Sequence, residues 1–208
     1  MKKLTIIGAG AFGREVHAWA KQHPDCGIAW ELAGFLDDNL SALREYGDFA
    51  AIQSLDNHRP VEGNIYLNGI AQPALKQRLL APLIAAGAEF LTFVHPTAKV
   101  GERVTLGRGV VLCPGAIVTT DAKIGEFVVL NLRSTVGHDA AVGAWTTVSA
   151  HCDITGFVQV DESVFMGSRS SIIPGRTVGA GATIGAGAVV FTHVAPGVTV
   201  FGNPARRL

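Results

Sequence analysis

A period of six residues runs through the second half of this 208-residue chain. Every sixth position from Val94 to Val190 is apolar: Val94, Val100, Leu106, Leu112, Val118, Ile124, Leu130, Val136, Val142, Val148, Ile154, Val160, Met166, Ile172, Val178, Ile184 and Val190. Four places after most of them stands a small residue, and Arg176 interrupts this second series. With 48% of the chain apolar, an unbroken run of this length has a chance probability well under about one in a thousand.

Six residues are enough for a short strand and a corner. Three such hexads make one triangular coil, with an aliphatic side chain pointing inward from each side, and successive coils stack through parallel backbone hydrogen bonds. The sequence therefore predicts a parallel β-helix of between five and six coils that begins at about Val94. The hand of this helix does not follow from the repeat, because crossovers between parallel strands are normally right-handed.

The first 90 or so residues have a different pattern, that of a small α/β unit with a parallel sheet. Strands are predicted at residues 4–7, 31–36, 64–67 and 89–94, and helices at residues 14–22 and 72–86. The apolar start followed by Ala18-Trp19-Ala20 superficially resembles a signal peptide. Arg14, Glu15 and His17 interrupt it, which favours a buried strand, a glycine turn and an amphipathic helix.

The glycine turn Gly8-Ala9-Gly10-Ala11-Phe12-Gly13, with Asp37 and Asp38 after the next strand, matches a dinucleotide-binding fingerprint. A dinucleotide fold needs two βαβαβ halves, and the residues before the repeat supply little more than one. We therefore expect one nucleotide, with a nicotinamide-dependent oxidoreductase as the rival function. The turn either contacts phosphate or is only a tight turn, and the two aspartates either bind ligand or are exposed turn residues.

Composition excludes several classes of partner. Lys+Arg and Asp+Glu number 17 each, so no global positive field attracts nucleic acid or an anionic membrane. The three cysteines show neither metal-ligand nor disulfide-framework spacing, which favours a reduced cytoplasm and no metal. The apolar stretch at residues 177–192 is too short and too rich in glycine to span a membrane, and we expect no transmembrane segment.

Five segments carry a family resemblance: KKLTIIGAGAFGREV, GFLDD, VHPTA, NLRSTVGHDAAVG and GNPARRL. With them the chain resembles bacterial sugar acetyltransferases of the sialic acid O-acetyltransferase and UDP-4-amino-sugar N-acetyltransferase type, which are hexapeptide-repeat acyltransferases. The resemblance implies a Rossmann-like nucleotide-sugar-binding domain at residues 1–93 and a left-handed parallel β-helix at residues 94–208. It also implies acetyl transfer from acetyl-CoA, with N-acetylation of a nucleotide-linked 4-amino sugar favoured. O-acetylation of sialic acid or another sugar, and non-catalytic binding of a nucleotide sugar, remain alternatives.

The resemblance also assigns roles to residues. It implies that His138 is the general base, that Asp139 supports it and that Asn131 lies in the same site. Gly8, Gly10, Ala11, Phe12, Gly13 and Asp37 or Asp38 would bind the nucleotide of the sugar. The hexad places His138 and Asp139 outside both inward series, so both should project from a corner. A side-chain contact between these adjacent residues is geometrically awkward, and Asp139 either fixes the histidine tautomer or acts across a subunit interface. The alternative without a catalytic role is that His138 is a solvated surface histidine.

Coenzyme A is a polyanion, and the end of the chain is suited to it. From Ser163 onward there are four arginines and no Asp or Glu, which favours an anionic ligand. The predicted cofactor-binding residues are Thr147, Gly167, Gly179, Gly185, Arg206 and Arg207. Thr147 stands where the family often has a second histidine, and the glycines would serve coil stacking equally well. A homotrimer is expected, because a site at a corner of a triangular helix is only half assembled in one chain.

Overall fold

The computed structural model describes residues 1–46, 52–56 and 58–208. Two compact units are present. The first comprises Met1–Ala71 and Leu75–Leu91, and the second comprises Gln72–Ala74 and Thr92–Leu208. No helix in the described part of the chain is both long enough and apolar enough to cross a membrane.

The first unit is an α/β unit built around one parallel sheet. Its elements are β1 (Lys2–Ile7), α1 (Ala11–Lys21), β2 (Trp30–Leu36), β3 (Ile52–Gln53), β4 (Asn64–Asn68), α2 (Pro73–Ala85) and β5 (Glu89–Phe90). The strand order is β3-β2-β1-β4-β5, and every neighbouring pair is parallel. Strand β1 lies at the centre because Leu4, Ile6 and Ile7 are fully buried.

Both helices bury one stripe of side chains, as their period predicts. On α1 the buried residues are Gly13, Val16, His17 and Ala20. The helix begins three residues before the predicted start, because Gly10 is already its N-cap. On α2 the buried stripe is Pro73, Lys76, Leu80 and Leu83, so a lysine occupies a core position.

The second unit is a parallel β-helix of two-residue strands. Its first strands are β6 (Phe93–Val94), β7 (Lys99–Val100), β8 (Thr105–Leu106), β9 (Val111–Leu112), β10 (Ile117–Val118), β11 (Lys123–Ile124), β12 (Val129–Leu130), β13 (Thr135–Val136) and β14 (Ala141–Val142). They continue as β15 (Thr147–Val148), β16 (Asp153–Ile154), β17 (Gln159–Val160), β18 (Phe165–Met166), β19 (Ser171–Ile172), β20 (Thr177–Val178), β21 (Thr183–Ile184), β22 (Val189–Val190), β23 (Thr199–Phe201) and β24 (Arg206–Arg207).

Every third strand of the β-helix pairs, which gives three sheets of six, five and eight strands. Partners are 18 residues apart in most pairs, as in Ile117 with Thr135. The last pair, β23 with β24, is antiparallel. The aliphatic residue of each hexad ends its strand and points inward, and from Leu112 to Val190 these side chains are at most 3% exposed. The sixfold pattern therefore forms the core.

The corners of the β-helix have a regular backbone conformation. Every sixth residue from Arg103 to Gly187 has a left-handed φ, and several of these residues are glycine. The others have side chains, with φ between 53° and 66°, although this region is sparsely populated by residues other than glycine. The inter-coil backbone bonds hold them there, as when Asp139 N–H donates to the Thr120 carbonyl at 3.2 Å.

The predicted strand at residues 89–94 is two strands instead of one. Strand β5 pairs with β4 in the first unit, whereas β6 pairs with β9 in the β-helix. The division between the units falls at this point, between Leu91 and Thr92. Strand β3 was not predicted, since only two residues form it.

Candidate active site

His138 and Asp139 form one corner of the β-helix, between strands β13 and β14. Both side chains project outward, as the hexad predicted, and they are 55% and 46% exposed. The corner residues one coil before and one coil after Asp139 are Asp121 and Phe157. Corners stacked at this spacing form a column, so residues far apart in sequence meet there.

A side-chain hydrogen bond joins the two adjacent residues: Nδ1 of His138 lies 2.9 Å from Oδ2 of Asp139. This corrects the expectation that such a contact is geometrically awkward. Neighbouring side chains point to opposite faces in an extended strand, but the left-handed φ of Asp139, 57°, breaks that alternation. With Asp139 accepting from Nδ1–H, Nε2 is the ring nitrogen that is left to accept a proton.

Phe157 contacts the histidine ring from the next coil. The two ring centroids are 4.9 Å apart and the planes are perpendicular. The phenyl group is itself 57% exposed, so an apolar surface lies beside the imidazole. Phe157 was not predicted as a site residue, although its 19-residue spacing from His138 is close to one coil.

An ion pair occupies the same column one coil earlier. Arg103 donates to both carboxylate oxygens of Asp121, from Nε at 2.6 Å and from Nη2 at 2.8 Å. The hydrogen bonds from Arg103 hold the pKa of Asp121 below the usual value of an aspartate, and His138 acts electrostatically in the same direction. Asp121 in turn raises the pKa of Arg103, with a smaller contribution from Asp139. The histidine and its carboxylate thus belong to a column of ionisable side chains.

Asn131 lies beside a different corner. It directly follows strand β12, and strand β13 separates it from His138. Its side-chain oxygen accepts the Leu132 N–H at 2.7 Å, and its carbonyl accepts the Ser134 hydroxyl. One chain therefore places Asn131 and His138 at successive corners, and does not by itself combine them in one site.

The residues predicted to bind coenzyme A are dispersed. Thr147 lies in strand β15 and is 1% exposed, so its side chain offers little surface to a ligand. A Cβ at Gly167, Gly179 or Gly185 would lie 2.6 Å or less from an atom of the next coil, which shows that coil stacking requires these glycines. Arg206 and Arg207 form strand β24 and are exposed.

A cleft of about 590 Å³ lies at the corner next to Asn131. Arg133 and His151 line it together with Thr97, Pro114, Gly115 and Leu132. Arg133, His151 and Arg169 are corner residues 18 apart, so this column carries two guanidinium groups and an imidazole. Such a surface favours an anion.

The glycines in the turn of the first unit differ in how much space surrounds them. Gly8 has a φ of 96°, and a Cβ on Gly13 would lie 1.9 Å from the Gly8 carbonyl oxygen, so both are required for the turn to pack against α1. A Cβ on Gly10 would meet nothing within 4 Å. Ala11 is exposed, and the half-buried Phe12 packs its ring edge against Trp19. The open side of the turn therefore lies at Gly10 and Ala11.

Asp37 and Asp38 both hold the backbone of their own unit. The Asp37 carboxylate accepts the Ala9 N–H at 2.7 Å and the Asn39 N–H at 2.8 Å. Oδ1 of Asp38 accepts the Asp56 N–H at 2.8 Å and the Ser54 hydroxyl at 3.0 Å. Neither is a simple exposed turn residue. A carboxylate has about four acceptor positions, so a ligand donor can still be accommodated.

No group of three or more His, Cys, Asp and Glu residues arranged to hold a metal ion is present in residues 1–46, 52–56 and 58–208.

Comparison with known proteins gives close relatives along the whole chain, although no protein-family model matches it. GDP-perosamine N-acetyltransferase of Escherichia coli O157:H7 is 32% identical over 215 residues, which cover 100% of this chain and 97% of that protein. The acetyltransferase domain of PglB from Neisseria gonorrhoeae FA1090 has a TM-score of 0.91 and 28% identity, with both chains fully covered.

A third relative was solved with ligands. PerB from Caulobacter crescentus, in complex with CoA and GDP-perosamine, has a TM-score of 0.87 and 26% identity and covers 100% of this chain and 98% of that one. These findings confirm the resemblance that the sequence motifs carry. The chain belongs to the family of GDP-perosamine N-acetyltransferase and the PglB acetyltransferase domain, within the hexapeptide acyltransferases.

Proposed function

We propose that this protein transfers the acetyl group of acetyl-CoA to the amino group of a nucleotide-linked 4-amino sugar, with His138 as the general base. The observation that carries the proposal is the bond from His138 Nδ1 to Asp139. It leaves Nε2 available at an exposed corner of a chain whose relatives include perosamine N-acetyltransferases.

The chemistry follows from the neutral imidazole, which is a suitable base near pH 7. As the sugar nitrogen attacks the thioester carbonyl, Nε2 takes up the proton that the nitrogen loses. Asp139 stabilises the imidazolium that forms and keeps the ring in one tautomer. The new bond is an amide C–N bond and the bond that breaks is C–S. The released coenzyme A thiolate takes up the proton held by the imidazolium, which restores the neutral histidine. No covalent intermediate on the protein is needed.

The first unit is proposed to be a Rossmann-like domain that binds the nucleotide. Its strand order β3-β2-β1-β4-β5 is that of a dinucleotide fold without the last strand. The N-terminus of α1 has no side-chain cap, so its free N–H groups and positive dipole end suit a diphosphate. Asp37 supports this role by holding the Ala9 N–H, and thereby the shape of the turn.

The β-helix is proposed to be left-handed and trimeric, as its family implies. The separation of Asn131 from His138 supports the trimer, because a second copy is needed to bring the two corners together. The cleft lined by Arg133 and His151 and the exposed Arg206 and Arg207 are proposed to attract the phosphates of coenzyme A.

Thiol release from acetyl-CoA tests the proposed reaction. The acceptors are GDP-perosamine, UDP- and dTDP-linked 4-amino sugars, and free sialic acid as the O-acetylation control. Turnover with one 4-amino sugar, and none with its 4-hydroxy counterpart, is the expected result. Turnover with sialic acid alone would contradict N-acetylation, and no thiol release with any acceptor would contradict the transferase function.

A further inference from the structure

Gly156 lies one coil after His138 and is buried directly against its ring. If Gly156 carried a Cβ, that atom would be 2.6 Å from Nε2, 2.7 Å from Cε1 and 3.2 Å from Cδ2 of His138. The three nearest atoms all belong to the imidazole. Real Cβ contacts are not this short, so the ring in its present position leaves no room for a side chain at position 156.

The backbone does not require glycine here. The left-handed corner residue is Phe157, and Gly156 precedes it without a left-handed φ of its own. At all the other corners from position 102 to position 186, the equivalent residue carries a side chain. They are Glu102, Arg108, Pro114, Thr120, Glu126, Leu132, His138, Ala144, Ala150, Glu162, Ser168, Pro174, Ala180 and Ala186. The glycine at position 156 therefore needs another explanation, and the contact with the histidine ring provides one.

Three contacts together fix the imidazole. Gly156 lies under the ring, Phe157 contacts it edge-on at 4.9 Å, and Asp139 bonds to Nδ1 at 2.9 Å. A methyl group at position 156 would push the ring away from this place. The bond to Asp139 would then be strained or lost, since the Asp139 backbone is held by the corner.

We propose that Gly156 is a positioning residue for His138: its missing side chain sets the plane of the imidazole and the direction of Nε2. The consequence for catalysis rests on the proposed acetyltransferase function, whereas the effect on the ring does not. A misplacement of a reacting group by about 1 Å can cost about a hundredfold in rate.

The first test is Gly156→Ala in the full-length protein. The expected result is a fall in kcat of at least about tenfold, with the KM of both substrates within about twofold of wild type. The ring itself is observed by ¹⁵N NMR without substrates. Wild type should show one tautomer with the proton on Nδ1, and the variant a mixture. Wild-type ring signals in Gly156→Ala would overturn the proposal, whether or not the protein proves to be an acetyltransferase.

The second test places the same change in a His138→Ala background. With the ring absent, Gly156→Ala should leave the residual rate and the thermal stability of His138→Ala unchanged, which is the non-additivity expected of residues in contact. If the single variant does not fold, the double variant should fold, because the colliding ring is gone. A further loss of stability or rate of the same size in both backgrounds would show that Gly156 acts through the coil and not through His138, and would refute the proposal.

Discussion

Replacing Lys76 by methionine should remove a rise in the protein's stability with pH. Lys76 is 0% exposed and occupies the buried stripe of α2 between Pro73 and Leu80. Burial lowers its pKa from 10.5 to about 7. Since one pKa unit corresponds to about 1.4 kcal/mol, protonation of this amine costs about 5 kcal/mol more in the folded protein than in the unfolded chain.

The sign of the pH dependence follows from linkage. Between pH 7 and pH 10.5 the unfolded chain keeps a proton on Lys76 that the folded protein has released, so stability rises with pH over this range. The rise from pH 7 to pH 9 should be about 2 kcal/mol. Lys76→Met has no proton to lose, so it should lack this rise.

The assay is urea unfolding at pH 7, 8 and 9, followed by tryptophan fluorescence. A Trp145→Phe background leaves Trp19 and Trp30, both in the first unit, as the reporters. The matched control is Lys123→Met, at an exposed lysine of the β-helix, which should keep the wild-type pH dependence. A wild-type stability that is flat from pH 7 to pH 9, or a Lys76→Met protein that keeps the wild-type rise, would refute the reasoning.

Three further outcomes are expected. His138→Ala should lower kcat at least about a hundredfold while calorimetry still detects acetyl-CoA binding; near wild-type turnover would mean that another group is the base. Asp37→Asn should destabilise the first unit by about 2 kcal/mol through the Ala9 N–H bond and raise the KM of the nucleotide sugar, with that of acetyl-CoA unchanged in the same steady-state assay. Light scattering should give three times the chain mass of 21.8 kDa, and a monomer at micromolar concentration would exclude the proposed trimer.

The β-helix core could be predicted from the sequence because the structural repeat, one strand and one corner, has the same six-residue length as the repeat of apolar residues. Each inward position is the same place in a hexad, so the aliphatic series alone identifies the strands. Val100 is exposed and Leu106 is half-buried although both belong to this series, because their strands β7 and β8 are the end strands of their sheets. The first unit was harder to predict, because an apolar run such as residues 89–94 does not reveal which sheet it joins.

The site could be predicted only in part. Its position at a corner followed from the hexad, but the bond between His138 and Asp139 depends on a left-handed φ that stacking imposes and local sequence does not encode. Gly156 and Phe157 become visible only when residues one coil apart are compared. That Asn131 and His138 lie at different corners could not be predicted, because the repeat alone does not show which residues form the corners.

The stacking of equivalent corners also determines which insertions and deletions the chain tolerates. A gain or loss of 18 residues adds or removes a whole turn of the solenoid and leaves every downstream side chain at its own corner. A gain or loss of six keeps the interior apolar but moves each later residue to the next corner. Such a change between His138 and Gly156 would yield a well-packed protein whose glycine no longer lies beneath the histidine. Length variation in this lineage should therefore occur in whole turns within the column of corners that contains His138, and shorter steps should be confined to loops outside it.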